Sequence, residues 1–549
     1  MHLNASEETE PKTLKRMLWR PRRSTTVVGA DSAFPLHVKT VGVINWTACD
    51  DFIASHLPTQ RENWRVLTEP FRNEQATRNI FKNRLEEMTL QTAQLDMEDI
   101  DTLVKKQRLK EVHPSIAKAS VRSFTVLEAE KMRRRWIVHP PEFNEESQTA
   151  RWAAEIPFPK LKEILDQAKK GFAATLDFAA FFQHFTIPEE VARYFAVMKQ
   201  GRAFIPLTVP TGASQPPLFA QILTSAICES VRTASITTDC WIDNVRILGQ
   251  NEAEVRLALE KLKENCTGLG IHFNKEETDP RQYNYLGIAF DHAKQTVNIT
   301  EKARKKLLVA ASVLERDEAT VDEYTSLFAR CVWCSSILVI DRAQWYYVYK
   351  FARRRLSGEQ DHRRQIKVWP SIKALWKKWT DIILSAAPRR IDDTNPISHT
   401  IYTDASLSGF GGVIFGRGDE PDIVIAGTWG KCSDHINVLE MRAVREVLAR
   451  WENAGPATVK LYVDNTSVLG QLRRGAARNF KANEELVRIR RIASRKNIEI
   501  VENAYVLSLE NPADSPSRAN RTFTTSVGEA GGRGQATPGP RCQDNPVRK

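Results

Sequence analysis

The chain of 549 residues contains only eight cysteines and no long hydrophobic run. Cysteines this sparse exclude the disulfide framework of a small secreted protein. The one CxxC pair, Cys331 and Cys334, falls in an apolar helical stretch and is interpreted as packing rather than zinc or redox chemistry. No segment approaches the roughly 20 consecutive apolar residues that span a bilayer, and a secretory signal pattern is absent. We therefore expect an intracellular protein, in the cytoplasm or nucleus, without a membrane partner.

Apolar residues and positive charge are what the chain has in quantity. Hydrophobic residues make up 42% of the sequence, which excludes a wholly disordered chain. Lysine and arginine number 79 against 67 aspartates and glutamates, for a net charge of +12. This balance favours a polyanionic partner such as nucleic acid, and the length predicts several domains.

The two ends differ in composition from the rest. Residues 1–45 carry a basic cluster broken by prolines, and we expect a flexible tail that is a nuclear address, a nucleic-acid arm or a solvated segment. The cluster consists of Lys12, Lys15, Arg16, Arg20, Arg22 and Arg23. Residues 521–549 are rich in Gly, Pro, Thr, Gln and Arg, a composition that predicts disorder.

Between the ends, hydrophobic periodicity and turn residues predict mixed helices and strands. Asn251 is expected to cap a helix that stops near Gly268. Residues 285–290 and 295–299 are expected to form a hairpin, and residues 301–390 to be mainly helical.

In the front half, carboxylates interrupt two apolar segments. Asp177 ends one predicted strand, and Asp243 is followed by Asn244 in another apolar run. A carboxylate among hydrophobic residues is costly to bury unless it meets a cation or a metal. The two carboxylates converge if their strands are neighbours, as two-metal phosphoryl transfer requires. Hard oxygen ligands favour Mg²⁺.

An ordered series of segments in this half resembles the motifs of reverse transcriptases. Asp177 and Asp243 stand in segments similar to motifs A and C, residues 209–221 resemble motif B, residues 269–274 motif D, and residues 285–287 the primer grip. The ordered set is specific where one motif alone is weak. The resemblance implies a right-hand polymerase with fingers, palm and thumb.

The resemblance also implies a role for each site residue. Asp177 and Asp243 would hold two Mg²⁺ ions, with Mn²⁺ as an alternative, helped by the main-chain carbonyl of Phe178. Phe182 matches the steric gate that clashes with a 2′-hydroxyl; a lone Phe there would be core packing. Gly212 would let the backbone approach the nucleotide closely. The full set of implied substrate contacts is Lys131, Arg135, Phe182, Pro210, Gly212, Trp241 and Asn244.

Asn244 departs from the family, which usually carries Tyr-x-Asp-Asp where this chain has Trp241, Ile242, Asp243 and Asn244. Asparagine keeps an oxygen but loses the charge, so metal affinity or rate is expected to fall. This departure keeps open a second hypothesis, a decayed or repurposed element that only binds nucleic acid. A third, a host repair polymerase with a fused nuclease, predicts a preference for DNA templates.

The back half carries four further carboxylates, Asp404, Glu440, Asp464 and Asp514, in a segment that reads β-β-β-α-β-α from about residue 398. Each alone is most often a cap or a solvated charge. Four carboxylates at close range would repel one another, and a pair of divalent cations relieves that repulsion.

The order of strands and acids over about residues 398–520 resembles the ribonuclease H domain. The resemblance implies that the four acids bind two Mg²⁺ ions and that the domain cuts the RNA strand of an RNA–DNA hybrid. Residues 511–518 look like the version found in DIRS-like and VIPER-type retrotransposons.

Two basic regions favour a grip on nucleic acid. One lies between the two acidic sets, where cations and flat rings suit a thumb or connection along a duplex; the alternative is a helical core with a solvated face. It contains Trp345, Tyr346, Tyr347, Lys350, Arg353, Arg354, Arg355, Arg363, Arg364, Lys367, Trp369, Trp376, Lys377, Lys378 and Trp379. The other suits hybrid binding by shape and contains Arg473, Arg474, Arg478, Lys481, Arg488, Arg490 and Arg491.

The expected fold class is a multidomain α+β or α/β protein, a right-hand polymerase followed by a ribonuclease H-like mixed sheet. The expected domains are a tail at 1–45, fingers and palm at 46–300, a helical thumb or connection at 301–397, the nuclease domain at 398–520 and a tail at 521–549. The expected function is RNA-directed DNA polymerase and ribonuclease H of a retrotransposon. Its expected partners are RNA template, DNA primer, RNA–DNA hybrid and deoxynucleoside triphosphates; the oligomeric state stays open.

Overall fold

A computed structural model describes most of the chain, in two compact units. The first unit is drawn from residues 1–340 and 352–392, the second from 341–351 and 393–549. The described residues are 27–28, 34–39, 42–81, 92–128, 131–147, 155–169, 171–277, 279–357, 359, 361–391, 396–416, 418, 421–430, 433–453, 455–519 and 522–526. The basic cluster at residues 12–23 lies outside them.

The first unit mixes helices with several small sheets. Its helices before residue 340 are α1 (Trp46–His56), α2 (Arg61–Thr68), α3 (Glu74–Phe81), α4 (Met97–Lys105), α5 (Pro141–Glu146), α6 (Leu161–Gln167), α7 (Glu189–Ala192), α8 (Pro216–Glu229), α9 (Glu252–Gly268), α10 (Glu301–Ala311) and α11 (Val321–Leu338). Its strands before residue 280 are β1 (Val27–Val28), β2 (Leu109–Val112), β3 (Arg122–Glu128), β4 (Arg133–His139), β5 (Phe172–Phe178), β6 (Val197–Lys199), β7 (Arg202–Pro206), β8 (Thr237–Trp241), β9 (Asn244–Gly249) and β10 (Phe273–Glu277).

One four-stranded antiparallel sheet, in the order β10-β5-β9-β8, carries the front acids. Helix α8 is buried along nearly its whole length and packs against β8. Helix α9 begins after Asn251, whose side chain caps it, and ends at Gly268, as the sequence predicted. The apolar residues of β5 and β9 join one continuous core with these helices.

The predicted strand at residues 285–290 is divided in two. Tyr285 ends β11 (Gln282–Tyr285), and β12 (Ile288–Asp291) begins after a turn at Leu286 and Gly287, which both have positive φ. The pairing of β12 with β13 (Thr296–Ile299) confirms the predicted hairpin. The division follows from Gly287, which adopts φ +83°, a conformation that side-chain-bearing residues rarely take.

Residues 301–390 are mainly helical, as predicted. Besides α10 and α11 they contain α12 (Tyr346–Phe351), which belongs to the second unit, and α13 (Pro370–Ser385). The short strands β14 (Glu318–Thr320), β15 (Gln365–Lys367) and β16 (Arg389–Arg390) interrupt them. Trp376 and Trp379 of α13 are fully buried, so these rings are core.

The second unit is a six-stranded mixed sheet with helices packed against its strands. Strands β17 (His399–Ala405), β18 (Gly409–Phe415) and β19 (Ile423–Thr428) form an antiparallel meander, followed by α14 (Ile436–Arg450), β20 (Ala457–Val463), α15 (Thr466–Arg474), α16 (Phe480–Arg495), β21 (Ile498–Tyr505), α17 (Asp514–Ser517) and β22 (Phe523–Ser526). The order across the sheet is β21-β20-β17-β18-β19-β22, with β20 parallel to β17 and to β21. The predicted β-β-β-α-β-α order is confirmed.

Residues 521–549 were expected to be disordered, but the structure has a strand near the start of this segment. Phe523–Ser526 pairs with β19, because that strand offers an open edge and the segment carries β-favouring Phe and Thr. Residues 527–549 lie outside the described part of the chain.

No helix among the described residues has the length and hydropathy needed to cross a bilayer. Cys331 and Cys334 are both buried, and burial raises their thiol pKa values to about 12 and about 11. Thiols held protonated in this way fit the predicted packing role.

Candidate active sites

The sheet brings Asp177 and Asp243 to the same end of two neighbouring strands. Asp177 lies in β5 directly opposite Asn244 of β9, and Asp243 lies in the turn between β8 and β9. The main-chain N–H of Phe178 donates to the carbonyl of Asp243 with an N···O distance of 2.8 Å. The strands that carry the two acids are therefore neighbours, which is the condition under which the sequence allows the two carboxylates to converge.

Burial and like charge act together on this first acidic site. Burial and the charge of Asp177 raise the pKa of Asp243 to about 6, against the opposing influence of Arg135. Two amides lie on the carboxylates: Asn244 Nδ2 donates to Asp243 Oδ1 at 2.9 Å, and Asn274 Nδ2 approaches Asp177 Oδ2 at 3.4 Å. The site combines two carboxylates with neutral donors, and a cation would relieve its repulsion.

Helix α8 holds the turn that carries Asp243. The side-chain oxygen of Gln221 accepts a hydrogen bond from the Ile242 N–H at 2.7 Å, and the Thr224 hydroxyl donates to the Ile242 carbonyl at 2.6 Å. Ile242 has a φ of 57°, which a β-branched residue adopts only under constraint. Sequence reasoning missed the role of these two residues, whose partner lies about 20 residues further along the chain.

The three arginines of β4 have different partners. Arg133 pairs with Glu128 at 2.5 Å and the buried Arg134 pairs with Asp99 at 2.5 Å. Arg135 is exposed and lowers the pKa of Asp243, which places its charge near the first acidic site. Lys131 is also exposed. Among these arginines, Arg135 is thus the one that the local ion pairs leave available to a bound anion.

The remaining front-half residues have identifiable local contacts. Phe182 is half-buried against the core, in a short helical turn. Trp241 contacts the Phe158 ring with centroids 4.9 Å apart. Gly212 donates its N–H to the Val138 carbonyl at 2.8 Å, and a Cβ there would lie 2.8 Å from the same oxygen. The close approach that requires this glycine is therefore to β4. Pro210 is buried just before it.

In the second unit, three carboxylates converge. Asp404 lies in β17, Glu440 in α14 and Asp464 just after β20, and one ligand oxygen from each lies within 4.8 Å of the others. Asp404 and Glu440 are buried. Asp404 and Asp464 meet because each lies at the carboxyl end of its strand, and the two strands, β17 and β20, are adjacent and parallel.

Burial and like charge oppose the ionisation of two of these acids, Glu440 and Asp404. Burial, then Asp404 and Asp464, raise the pKa of Glu440 to about 9. Burial is also the main cause that raises the pKa of Asp404. The Glu440 Oε2 atom is buried without a hydrogen-bond partner among the described residues. An oxygen-only donor set with an orphaned buried oxygen fits a hard divalent cation such as Mg²⁺.

Asp514, the fourth predicted acid, is not part of this close group. Its carboxylate pairs with Arg518, at 2.7 Å and 3.2 Å, while its charge still acts on Asp404. The preceding Asn511 donates to the Thr403 carbonyl at 3.1 Å, next to Asp404. Gly411 of β18 makes room for this segment, since a Cβ there would lie 2.4 Å from the Ala513 carbonyl oxygen.

The two basic regions separate into buried and exposed members. Trp345, Trp376 and Trp379 are buried and serve as packing, whereas Trp369 is 63% exposed and Tyr347 is 45% exposed. In the second unit, Arg488 lies 3.3 Å from Glu485, and Arg473 donates to the Asn503 carbonyl.

Comparison with known proteins adds similarities of structure. No protein-family model matches the chain, and no curated protein matches it. Three solved structures of a foamy viral protease–reverse transcriptase are similar. The dRH form with double-stranded DNA has 12% identity and a TM-score of 0.43, covering 75% of this chain and 69% of its own.

The complex with an RNA/DNA hybrid has 12% identity and a TM-score of 0.43, covering 82% of this chain and 58% of its own. The complex with double-stranded DNA has 11% identity and a TM-score of 0.44, covering 86% of this chain and 99% of its own.

Proposed function

We propose that the chain is an RNA-directed DNA polymerase with ribonuclease H activity on RNA–DNA hybrids. The observation that carries the proposal is that carboxylates from distant parts of the sequence converge twice, once in each compact unit. Two-metal phosphoryl transfer is the chemistry that needs such sites. The ordered polymerase motifs and the strand order of the second unit support the same assignment.

In the first unit, Asp177 and Asp243 would hold the metal ions, helped by the carbonyl of Phe178. Bound Mg²⁺ would supply Lewis-acid stabilisation of charge on the reacting phosphate. The chain's own residues would orient the substrate: Arg135 and Lys131 the triphosphate, and Phe182 the sugar. The exposed Arg135 beside Asp243 is the best-placed of these cations.

In the second unit, Asp404, Glu440 and Asp464 would hold the cation that activates hydrolysis of RNA. Asp514 would become a further ligand once its ion pair with Arg518 is broken. The raised pKa of Glu440 means that metal binding displaces a proton, so we expect hydrolysis to strengthen with rising pH through neutrality.

A retrotransposon of the DIRS or VIPER type is the proposed source of this architecture. The supporting feature is the segment from Asn511 to Arg518, in which Asn511 anchors to β17 and Arg518 pairs with Asp514. Under this proposal the partners are RNA template, DNA primer, hybrid and deoxynucleoside triphosphates, inside the cell.

Primer extension on matched RNA and DNA templates tests the polymerase assignment. We expect extension of a DNA primer on RNA with Mg²⁺ or Mn²⁺, and its loss in the Asp177→Ala, Asp243→Ala double variant. Full extension by that variant would refute the assignment, and a marked preference for DNA template would favour a repair polymerase.

A second candidate, a protein that only binds nucleic acid, is favoured by one observation. Asn244 donates its amide to Asp243, where the family usually places a second carboxylate. An inactive parent that gains extension on Asn244→Asp would support this candidate, and an active parent would exclude it.

A further inference from the structure

A fully buried ion pair crosses the hairpin that carries Asp243. Asp239 of β8 and Arg246 of β9 lie directly opposite each other, two residues before and after the pair formed by Trp241 and Asn244. The Arg246 side chain is completely buried, that of Asp239 is 2% exposed, and Arg246 Nε donates to Asp239 Oδ2 at 2.9 Å. Because cross-strand partners share a face, the pair lies on the sheet face that carries Asp177.

The guanidinium of Arg246 also contacts the hairpin formed by β11 and β12. It lies over the rings of Tyr285 and Phe290, at 5.0 Å from each centroid. One nitrogen donates to the Tyr283 hydroxyl at 3.4 Å and another to the Ile164 carbonyl at 2.7 Å. Arg246 therefore connects the acid-bearing sheet to the β11–β12 hairpin.

The hydrogen bonds continue beyond the arginine into the same hairpin. The Tyr283 hydroxyl lies 3.2 Å from Nε2 of His292, and the two rings stack at 5.5 Å. Burial lowers the pKa of His292 to about 4, so the ring is neutral at physiological pH. The chain of contacts runs from Asp239 through Arg246 and Tyr283 to His292.

A buried ion pair is an inefficient way to stabilise a core, since apolar residues of similar size often do as well or better. A guanidinium makes directional contacts, because its planar group donates to several acceptors and packs against two rings in a fixed geometry. These contacts hold the turn at Leu286 and Gly287 at a defined place relative to Asp177 and Asp243.

We propose that Arg246 is a positioning residue that sets the β11–β12 hairpin, and with it the primer terminus, against the polymerase acids. This inference rests on the proposed polymerase function and on the resemblance of residues 285–287 to a primer grip. Asp239 acts through Arg246 by holding its charge.

The test compares three variants with the parent chain. Arg246→Met removes the donor, Arg246→Lys keeps charge without the fork, and Arg246→Met with Asp239→Leu replaces the pair by apolar residues. Arg72→Met is the matched control, because Arg72 also makes a two-bonded ion pair, with Asp50, and lies over a ring, that of Trp46, in the same unit.

The readouts are melting temperature, amide hydrogen exchange of residues 282–291, and steady-state primer extension with template–primer and nucleotide varied separately. We expect the apolar double variant to melt like the parent. It should still lose exchange protection in the hairpin and raise KM for template–primer about tenfold, by the loss of one well-placed charged contact. KM for nucleotide should change far less. The Arg72→Met control should alter neither the exchange protection of the hairpin nor the ratio of the two KM values.

Parent-like exchange and parent-like KM values in a stably folded apolar double variant would overturn the inference, because the pair would then serve only to satisfy its own charges. A parent that extends no primer would instead remove the proposed function. The exchange comparison alone would then decide whether Arg246 positions the hairpin.

Discussion

The two acidic sites differ in how densely their charges are packed. In the first unit two carboxylates are accompanied by the amides of Asn244 and Asn274, and the pKa of Asp243 rises to about 6. In the second unit three carboxylates lie within 4.8 Å and the pKa of Glu440 rises to about 9. A cation would therefore relieve more repulsion at the second site than at the first, where neutral donors already lie on the carboxylates.

Removing a charge from the denser site should have the largest effect. We expect Asp404→Asn to lower hybrid cleavage about a thousandfold, since a lost metal ligand removes several kcal/mol of transition-state stabilisation. Primer extension should stay within about twofold of the parent, a difference of less than 0.5 kcal/mol. Cleavage retained at the parent rate would show that Asp404 is not a metal ligand.

Replacing Glu440 should stabilise the metal-free protein. The folded pKa of Glu440 is raised from 4.5 to about 9, so the folded state holds a proton that the unfolded state releases, and stability falls as pH rises between these values. We expect Glu440→Gln in chelator at pH 7.5 to gain about 2 kcal/mol, or roughly 4–8 °C in melting temperature.

This gain should shrink towards pH 4.5 and grow towards pH 9, which a series of melting curves would measure. Hybrid cleavage should be lost in the same variant. A Glu440→Gln protein that melts below the parent at pH 7.5 would contradict the like-charge account of the second site.

Adding a charge to the sparser site should make the two sites more alike. Asn244→Asp replaces an amide that donates to Asp243 by a carboxylate, and we expect the Mg²⁺ concentration for half-maximal primer extension to fall about tenfold. A magnesium titration of the parent and the variant measures this shift. An unchanged midpoint would mean that residue 244 does not face the metal.

The smallest expected effect concerns Arg518, which is exposed and pairs with Asp514. We expect Arg518→Gln to lower the Mg²⁺ concentration for half-maximal cleavage by about threefold, the scale of an exposed ion pair. The reason is that the arginine would compete with a bound metal for Asp514. A higher requirement for Mg²⁺ would instead make Arg518 part of the working site.

The sequence predicted the elements that depend on local pattern. The Asn251 cap, the end of α9 at Gly268 and the β-β-β-α-β-α order follow from spacing and turn residues that lie close together. The sequence also singled out both acids, because they interrupt apolar strands, but the pairing of Asp177 with the residue after Asp243 is seen only in the structure.

Contacts between distant residues were beyond that reasoning. Arg246 reaches a carbonyl 82 positions away and a tyrosine 37 positions away, and no local pattern marks either. The close approach of Gly212 to β4 likewise joins residues that are more than 70 positions apart, while its expected approach to a nucleotide stays a prediction. Asp514 lies outside the close group of the other three acids and pairs with Arg518, and only side-chain geometry reveals that pairing.

Separation of the two activities tests the central claim most directly. Primer extension and hybrid cleavage would be measured side by side for Asp243→Asn and Asp464→Asn, each checked for folding by its melting curve. We predict that Asp243→Asn loses extension and keeps cleavage, and that Asp464→Asn does the reverse. Loss of both activities in either well-folded variant would contradict the existence of two independent metal sites.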